Sequence, residues 1–204
     1  ILEHIINKVK IINHPKSIRE VPEKLFSIRL TKYMPSTLIS ENMIEIKKFF
    51  NKNKKVIVKP VDGYGGNKVI LLKAFNYKVI RGYLKKNSHV IFQKYLPKIY
   101  KGDRRVFVIN GKVKGSITRV PKKGSILSNM SKGAIPKIDK LTAKEQKLSS
   151  YIAGLLKKKN IYFAGIDFVQ GKLIGDINVT SPTGLKTYYD LTKKNLAKYF
   201  WLNI

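Results

Sequence analysis

The decisive stretch of this 204-residue chain is GIDFVQGKLIGDIN, at residues 165–178. Two runs of alternating apolar and polar character surround the dipeptide Gln170-Gly171, and this pattern predicts a β-hairpin with a tight two-residue turn. Because successive side chains of a strand point to opposite faces, Asp167, Asp176 and Asn178 are expected to share one face. The other face is apolar and predicts a surface that packs on a core.

Direct pairing outward from this turn places Asp167 opposite Ile174 and diagonal to Asp176. Two carboxylates and the amide oxygen of Asn178 then converge within ~7–8 Å. Clustered oxygen ligands beside a polyphosphate are what Mg²⁺ takes. The chain has only 12 acidic residues against 42 basic ones, so the convergence calls for an explanation. The alternative is a pair of solvated carboxylates on an exposed strand face, and the hairpin by itself leaves both open.

The composition narrows the classes of function. Hydrophobic residues make up 43% of the chain, enough for a core in one domain or two small ones. The absence of cysteine excludes disulfides, thiolate metal sites and thiol nucleophiles. The scattered His4, His14 and His89 argue against a zinc site or a Ser-His pair.

The apolar runs and the N-terminal segment of the chain indicate where in the cell the protein is located. No apolar run approaches the ~20 residues of a membrane span, and the N-terminal segment lacks the pattern of a signal peptide. We therefore expect a cytoplasmic protein with no membrane partner. Because the chain begins at Ile1 rather than Met, we also expect it to be a piece of a longer protein.

The formal net charge of +30 suggests nucleic-acid binding, but its distribution argues against it. Only six of the 42 basic residues are arginines, and the lysines are spread along the whole chain. No nucleic-acid-binding motif is present. The charge is interpreted as a solvated surface that attracts anionic ligands.

The order of elements predicts an α+β fold in two units. Residues 1–17 are interpreted as a connector from an N-terminal domain that the chain lacks, residues 18–94 as the first unit and residues 95–204 as the second. The second unit contains a long polar loop at 121–136, which is typical of a lid, and the hairpin at 163–179. Predicted helices cover 17–33, 40–53, 77–86, 142–160 and 189–202, and predicted strands cover 9–12, 37–39, 56–59, 69–72, 89–94, 104–109 and 112–119.

A glycine-rich loop at 62–66 follows Lys59 at the end of a predicted strand. Glycines let backbone N–H groups approach phosphate oxygens, and the lysine adds positive charge. The loop matches neither a Walker motif nor the Lys-x-Asp-Gly motif of nucleic-acid ligases. An ordinary hairpin turn is the alternative, so the loop alone favours nucleotide binding only weakly.

Taken together, the strand lysine, the glycine loop, the lid and the late acidic hairpin resemble the ATP-grasp fold, in which two α+β subdomains with antiparallel sheets clasp ATP between them. Within that fold the chain is similar to the prokaryotic glutathione synthetases over essentially its whole length. The matching segments are INHPKSIR at 12–19, EKL at 23–25, KPVDGYGG at 59–66, QKYLP at 93–97, GDRRV at 102–106 and DINVTSPT at 176–183.

The resemblance implies an ATP-dependent ligase that joins γ-glutamylcysteine to glycine through an acyl phosphate, with Mg²⁺ or Mn²⁺ as cofactor and ATP as cosubstrate. It also implies a homo-oligomer in the full-length form. The implied metal ligands are Asp167, Asp176 and Asn178, one of which is Asp where the family usually has Glu. The implied ATP-binding residues are Lys24, Lys59, Asp62, Gly63, Gly65, Gly66, Gln93, Lys94, Tyr95, Leu96 and Asp103.

Arg105 and Arg119 match family arginines near the transferred phosphate and the acyl group, and are the implied catalytic residues. Strict pairing across Asn110-Gly111 would put them on opposite faces, so both can serve the site only if a bulge shifts the register. For each arginine the alternative is a surface salt bridge. The implied substrate-binding residues are Ser128, Asn129, Ser181 and Thr183.

Two departures from the family pattern put full activity in doubt. Leu127 stands where the family's lid has an arginine, and Lys123 or Lys132 would have to replace it without a planar fork. The N-terminal domain that helps bind γ-glutamylcysteine has no counterpart here. Two alternatives therefore stay open: a related ligase with another acceptor, and a non-catalytic basic module that binds nucleotides or nucleic acid.

Overall fold

Two antiparallel sheets organise the computed structural model, which describes residues 1–87 and 89–204. The first sheet has the order β1-β4-β2-β3 and the second the order β7-β6-β5-β8-β9. The strands are β1 (Thr37–Ile39), β2 (Val56–Pro60), β3 (Ile70–Leu72), β4 (Val90–Lys94), β5 (Asp103–Ile109), β6 (Lys112–Val120), β7 (Ile135–Lys137), β8 (Phe163–Val169) and β9 (Lys172–Asn178). The α-helices are α1 (Pro15–Glu20), α2 (Met43–Asn53), α3 (Tyr77–Lys86), α4 (Ala143–Lys158), α5 (Leu185–Thr192) and α6 (Leu196–Leu202).

Helices cover one face of the first sheet. Ile46 and Phe50 of α2 and Ile80 of α3 pack against alternate residues of β2 and β4, such as Val58 and Phe92. The intervening residues of these strands point away from that core. One face of the sheet therefore forms a core, and the opposite face is available to a ligand.

Helices cover one face of the second sheet and one end of its other face. The apolar stripe of α4, including Ile152 and Leu156, packs with Val106 and Val108 of β5 on one face. On the other face α5 and α6 cover only one end, where Phe107 packs in an apolar cluster with Tyr188 of α5. The far end of that same face carries charged side chains and faces the first sheet.

Local signals predicted several elements correctly. Helix α3 has the predicted limits, and α4 begins with a complete capping box between Thr142 and Glu145. Both predicted two-residue turns have positive φ at both central positions, 48° and 70° at Asn110-Gly111 and 55° and 71° at Gln170-Gly171. These are the dihedral signs that a type I′ hairpin turn requires.

Three predicted elements are wrong. The helix expected over 17–33 ends at Glu20, because Pro22 lacks an N–H and disfavours helical φ/ψ at the preceding Val21. A 3₁₀ segment, Phe26–Tyr33, follows it. The helix expected over 189–202 is two helices, separated where Lys193 takes a φ of 61°. Residues 9–12, all of them described, form no strand.

The segment that contains Val21, Phe26 and Leu30 packs on the second sheet, in the same core as α4. The sequence-based boundary assigned residues 18–94 to the first unit. The packing instead joins the first part of that range to the second sheet. Within the described part of the chain, no helix combines the length and the apolar composition of a membrane span.

Asn13 fastens the N-terminal segment to the second sheet. Its Nδ2 donates to the carbonyl oxygens of Phe163 at 2.7 Å and Val179 at 2.6 Å. Its Oδ1 accepts from the backbone N–H groups of Tyr162 at 2.7 Å and Phe163 at 2.9 Å. This buried amide thus joins the start of β8 to the residue that follows β9.

We expect Asn13→Ala to lower the free energy of unfolding by about 3 kcal/mol or more, because it leaves several buried backbone groups without hydrogen bonds. Urea denaturation followed by circular dichroism measures the change. Asn7→Ala, at an exposed position of the same terminal segment, is the matched control and should change stability little. Equal stability of the two variants would contradict the fastening role.

Candidate active site

A cavity of about 610 Å³ lies between the two sheets. The ligand-facing residues of the first sheet, including Ile57, Lys59 and Gln93, form one wall. The charged end of the second sheet forms the other, and the glycine loop and the lid segment 126–131 close it. The cavity is large enough for a nucleotide with a second, smaller ligand.

A bulge in β5–β6 brings the arginines together. Phe107 pairs with Gly115, but the next residue, Val108, pairs with Val113, so β6 carries one extra residue. Beyond the bulge Asp103 lies opposite Arg119. The bulge that the sequence analysis required is therefore present, and Arg105 and Arg119 reach the same face of the sheet.

A second irregularity lies in the acidic hairpin. Phe168 pairs with Leu173 as expected, but Ile166 pairs with Ile177. The strict register, which placed Asp167 opposite Ile174, is thus wrong beyond Phe168, because β9 gains two residues there. A shift of two preserves the alternation, so Asp167 and Asp176 still face the same cavity.

Four buried charged side chains form a linear network, in the order Arg105, Asp167, Arg119 and Asp103, at the floor of the cavity. Arg105 donates from Nε at 2.5 Å and Nη2 at 2.6 Å to the two oxygens of Asp167. Arg119 donates to Asp103 from Nε at 2.8 Å and Nη2 at 2.6 Å, and from Nη2 to Asp167 at 2.9 Å. The planar guanidinium makes these paired contacts possible.

The network separates the pKa values of its two carboxyls. Burial raises the pKa of Asp103 to about 6, against the opposing effect of Arg119. Burial acts on Asp167 in the same direction, but the charges and hydrogen bonds of Arg105 and Arg119 outweigh it and lower the pKa to about 2. Asp167 is therefore the firmly ionised member.

Two lysines of the cavity donate hydrogen bonds to groups around it: Lys59 from β2, and Lys24 from the segment that precedes the first sheet. Lys59 Nζ donates to the carbonyl oxygen of Ile174 at 2.9 Å and to Asp176 Oδ1 at 3.3 Å, across the cavity. Lys24 Nζ donates to the carbonyl oxygens of Val61, at 3.2 Å, and Gly63 in the glycine loop. Burial lowers the pKa of Lys24.

The three predicted metal ligands all line the cavity, but they differ in how many of their oxygen atoms already accept hydrogen bonds. Both oxygens of Asp167 accept from arginines, and Asn178 Oδ1 accepts from the backbone N–H groups of Thr180 at 3.2 Å and Ser181 at 3.0 Å. Among residues 1–87 and 89–204, Asp176 accepts a hydrogen bond only through Oδ1, from Lys59. Within the described residues no three His, Cys, Asp or Glu side chains form a metal cluster.

This donor set fits Mg²⁺ that arrives with phosphate. Magnesium is usually held by one or two carboxylates, with phosphate oxygens and waters as its other ligands, rather than by an all-protein cage. The second oxygen of Asp176 is the available donor, and Asp167 and Asn178 face the same cavity. The residues thus fit a metal–nucleotide complex better than a free ion.

The lid contributes neutral groups to the cavity. Ile126, Leu127 and Met130 line it, whereas Lys123 and Lys132 are not among the described residues that do. Ser128 Oγ is buried and, as far as the described residues show, without a hydrogen-bond partner. Neither lysine therefore takes the position expected for a replacement of the lid arginine.

The lid also touches the glycine loop. A Cβ added at Gly66 would lie 2.4 Å from Asn129 Oδ1 and 3.4 Å from Leu127 Cδ2. Gly66 also has a φ of 73°, which disfavours other residues. The absence of a side chain at this position lets the two loops meet over the cavity.

The predicted site residues lie together with one exception. Asp62 is exposed and does not belong to the cavity lining that the structure describes. All other predicted ATP-binding, metal-binding, substrate-binding and catalytic residues line the cavity. Glu23 and Ile57 line it as well and were not predicted. The alternation along β2 could have indicated Ile57, but no local signal indicated Glu23.

The two antiparallel sheets with a cavity between them are the fold of the ATP-grasp ligases. The ATP-grasp ligase PsnB, in complex with a precursor peptide and AMPPNP, aligns with a TM-score of 0.69 and 16% identity over 98% of this chain and 65% of its own. The D-cycloserine synthetase DcsG aligns with a TM-score of 0.67 and 13% identity over 88% of this chain and 69% of its own.

The chain belongs to the family of prokaryotic glutathione synthetases, whose ATP-grasp domain matches residues 23–193. Glutathione synthetases of Bradyrhizobium diazoefficiens and Agrobacterium fabrum are each 34% identical over 98% of the chain. That of Buchnera aphidicola from Schizaphis graminum is 36% identical over 97% of it. The chain spans 65%, 64% and 62% of these relatives' respective lengths.

We expect Gly66→Ala to displace the lid, because the new methyl group would overlap Asn129. Limited trypsin digestion should then cleave faster at lid lysines such as Lys122 and Lys132. Gly65→Ala is the matched control, since its φ of 63° is equally unfavourable but the nearest atom to the new Cβ lies 4.0 Å away. Equal cleavage rates in the two variants would show that the lid does not rest on the glycine loop.

Proposed function

We propose that this chain is the ATP-binding and catalytic part of a glutathione synthetase, which joins γ-glutamylcysteine to glycine with ATP and Mg²⁺. The observation that carries the proposal is that two lysines and the buried arginine–aspartate network line one cavity. Family membership supports the choice of substrates. The full-length protein is proposed to be a homo-oligomer.

The chemistry requires activation of a poor electrophile. A free carboxylate resists attack by an amine, so its oxygen takes the γ-phosphoryl group of ATP, ADP leaves and an acyl phosphate forms. The glycine ammonium loses a proton, and the free amine attacks the acyl carbon. The C–N bond forms, phosphate leaves with the electron pair of the C–O bond, and the nitrogen loses a second proton. The protein has to hold the reactants in line and stabilise the developing negative charge.

Lys24 and Lys59 are suited to hold the phosphates. Each ammonium donates to backbone carbonyls, and phosphate oxygens are stronger acceptors that can replace these carbonyls. Movement of Lys59 toward a phosphate would also release Asp176 Oδ1. Mg²⁺, when bound, would neutralise part of the phosphate charge. Asp176 would be its principal protein ligand, and Asp167 and Asn178 would lie beside it.

The segment from Gln93 to Leu96 is proposed to bind adenine. The N–H groups of Lys94 and Tyr95 already donate to Ser36 at 2.8 Å and Lys55 at 3.0 Å. For Leu96, no such bond is present within the described residues, which makes its N–H the donor we assign to the nucleobase. Gln93 is held by the hydroxyl of Thr37 at 2.9 Å, which fixes this wall of the cavity.

Arg105 and Arg119 are proposed to stabilise the transferred phosphoryl and acyl groups from fixed positions. Arg105 also donates from Nη1 to the carbonyl oxygen of Thr183 at 3.4 Å, so it contacts the segment proposed to bind substrate. Ser181 and Thr183 on this segment, and Ser128 and Asn129 on the lid, are the proposed substrate contacts. Pre-formed positions matter because the donors then need little reorganisation during the reaction.

The test measures glutathione and ADP formation by the chain with γ-glutamylcysteine, glycine, ATP and Mg²⁺, and ATP affinity by calorimetry with and without Mg²⁺. We expect product formation and metal-dependent binding. Asp176→Asn should weaken ATP binding in Mg²⁺ about tenfold or more and leave metal-free binding nearly unchanged, because it removes one ligand charge.

Asp190→Asn, on the exposed surface of α5, is the control for this change and should behave as the unaltered chain does. Metal-dependent ATP binding without glutathione formation would overturn the proposed ligase activity of the chain. Unchanged metal dependence in Asp176→Asn would remove Asp176 from the metal site.

Leu127→Arg is a second prediction about the same reaction. A guanidinium at this lid position would face the cavity and add positive charge where the lid is neutral. We expect kcat to rise about tenfold relative to the unaltered chain, as in other sites where one donor stabilises the transition state. Leu127→Gln, which has similar length and no charge, should give no increase. An equal kcat in both variants would contradict a role for lid charge.

A further inference from the structure

Glu23 is a cavity residue that the proposed reaction does not yet use. It lies between Val21 and Phe26, which are buried in the core of the second sheet, and its side chain lines the cavity. Its carbonyl oxygen accepts from the backbone N–H of Ile177 in β9 at 3.1 Å. The main chain of Glu23 is therefore held beside the strand that carries Asp176 and Asn178.

The carboxylate of Glu23 differs from the other three acidic side chains of the cavity. Asp103 and Asp167 pair with arginines, and Asp176 pairs with Lys59. For Glu23 no ion pair or side-chain hydrogen bond is present among residues 1–87 and 89–204. Its neighbour Lys24 donates instead to carbonyls of the glycine loop.

An unpaired, half-buried carboxylate is unfavourable, above all in a chain with a net charge of +30 and many available lysines. Burial raises the pKa of Glu23, and the nearby charge of Asp176 raises it further. The backbone bond to Ile177 holds Glu23 beside β9, at the cavity that it lines. Such a group favours a cationic ligand.

We propose that Glu23 binds the ammonium group of the amino-acid nucleophile. The inference rests on the proposed function for the presence of that nucleophile. An ammonium carries three N–H donors and one charge, which a carboxylate without other partners can satisfy. A divalent cation is the other candidate ligand, and the Mg²⁺ dependence of ADP binding in the test below distinguishes it from an ammonium.

Binding of the ammonium here would select amines without engaging the phosphate-binding lysines. It would hold the nitrogen beside β9, in the cavity that Thr183 also lines. Before the attack, one proton passes from the ammonium to the Glu23 carboxylate, which frees the lone pair of the nitrogen. The site would thus recognise a primary amine and reject its acylated or deaminated counterpart.

The test is equilibrium binding of glycine to the 204-residue chain in the presence of ADP and Mg²⁺, measured by ligand-observed NMR. Glu23→Gln keeps the size and removes the charge, and should weaken glycine binding at least about tenfold. Glu41→Gln, at an exposed glutamate, should leave it unchanged. N-acetylglycine, which lacks the ammonium, should bind weakly to all three proteins.

The outcomes are distinct. Equal glycine affinity in Glu23→Gln, or no glycine binding by the unaltered chain, overturns the inference. Loss of the Mg²⁺ dependence of ADP binding in Glu23→Gln also overturns it, in favour of a metal ligand. Glu23→Asp, which keeps the charge, should retain part of the affinity if Glu23→Gln fails to fold. Glycine binding that depends on Glu23, without ATP-dependent glutathione formation, supports this inference and overturns the proposed function.

Discussion

The buried network of Arg105, Asp167, Arg119 and Asp103 constrains the rest of the structure. Each of these charges would be costly to bury alone, and together they are mutually paired through short, charge-assisted hydrogen bonds. The network forms only if β5, β6 and β8 are in one register. The bulge between β5 and β6 supplies that register, and the apolar end of the same face, under α5 and α6, keeps it in place. The charged wall of the cavity is thus positioned by the same contacts that close the core.

The two cavity lysines differ from the arginines in their partners. Lys59 of the first sheet, and Lys24 of the segment packed on the second sheet, donate mainly to backbone carbonyls, which are weaker acceptors than phosphate oxygens. The arginines have charged partners and planar, paired contacts, and are expected to stay where they are. A site with fixed arginines and movable lysines matches a reaction in which phosphate first binds and is then transferred. The lid residues that line the cavity, including Leu127, are neutral, so the proposed transfer would depend on the positive charge of these four side chains.

Charge balance in the cavity singles out Glu23. Three of its four acidic side chains have a cationic partner in the part of the chain that the structure describes, and the fourth faces the space proposed for substrates. The proposed function supplies a reaction in which an ammonium group enters this space. The inference about Glu23 depends on both the charge balance and the proposed function.

Short-range signals in the sequence predicted those elements of the fold that depend on neighbouring residues. The glycine at each hairpin turn, the capping box of α4 and the alternation of the strands depend on neighbouring residues, so they predicted both hairpins, α3 and the start of α4. Family resemblance supplied the site residues, of which Asp62 alone lies outside the described cavity lining. The two bulges, the packing of Phe26 on the second sheet, the partners of Asp167 and the place of Glu23 at the cavity follow only from the tertiary structure. These depend on which residues from distant parts of the chain share a core or a cavity, and no local pattern records that.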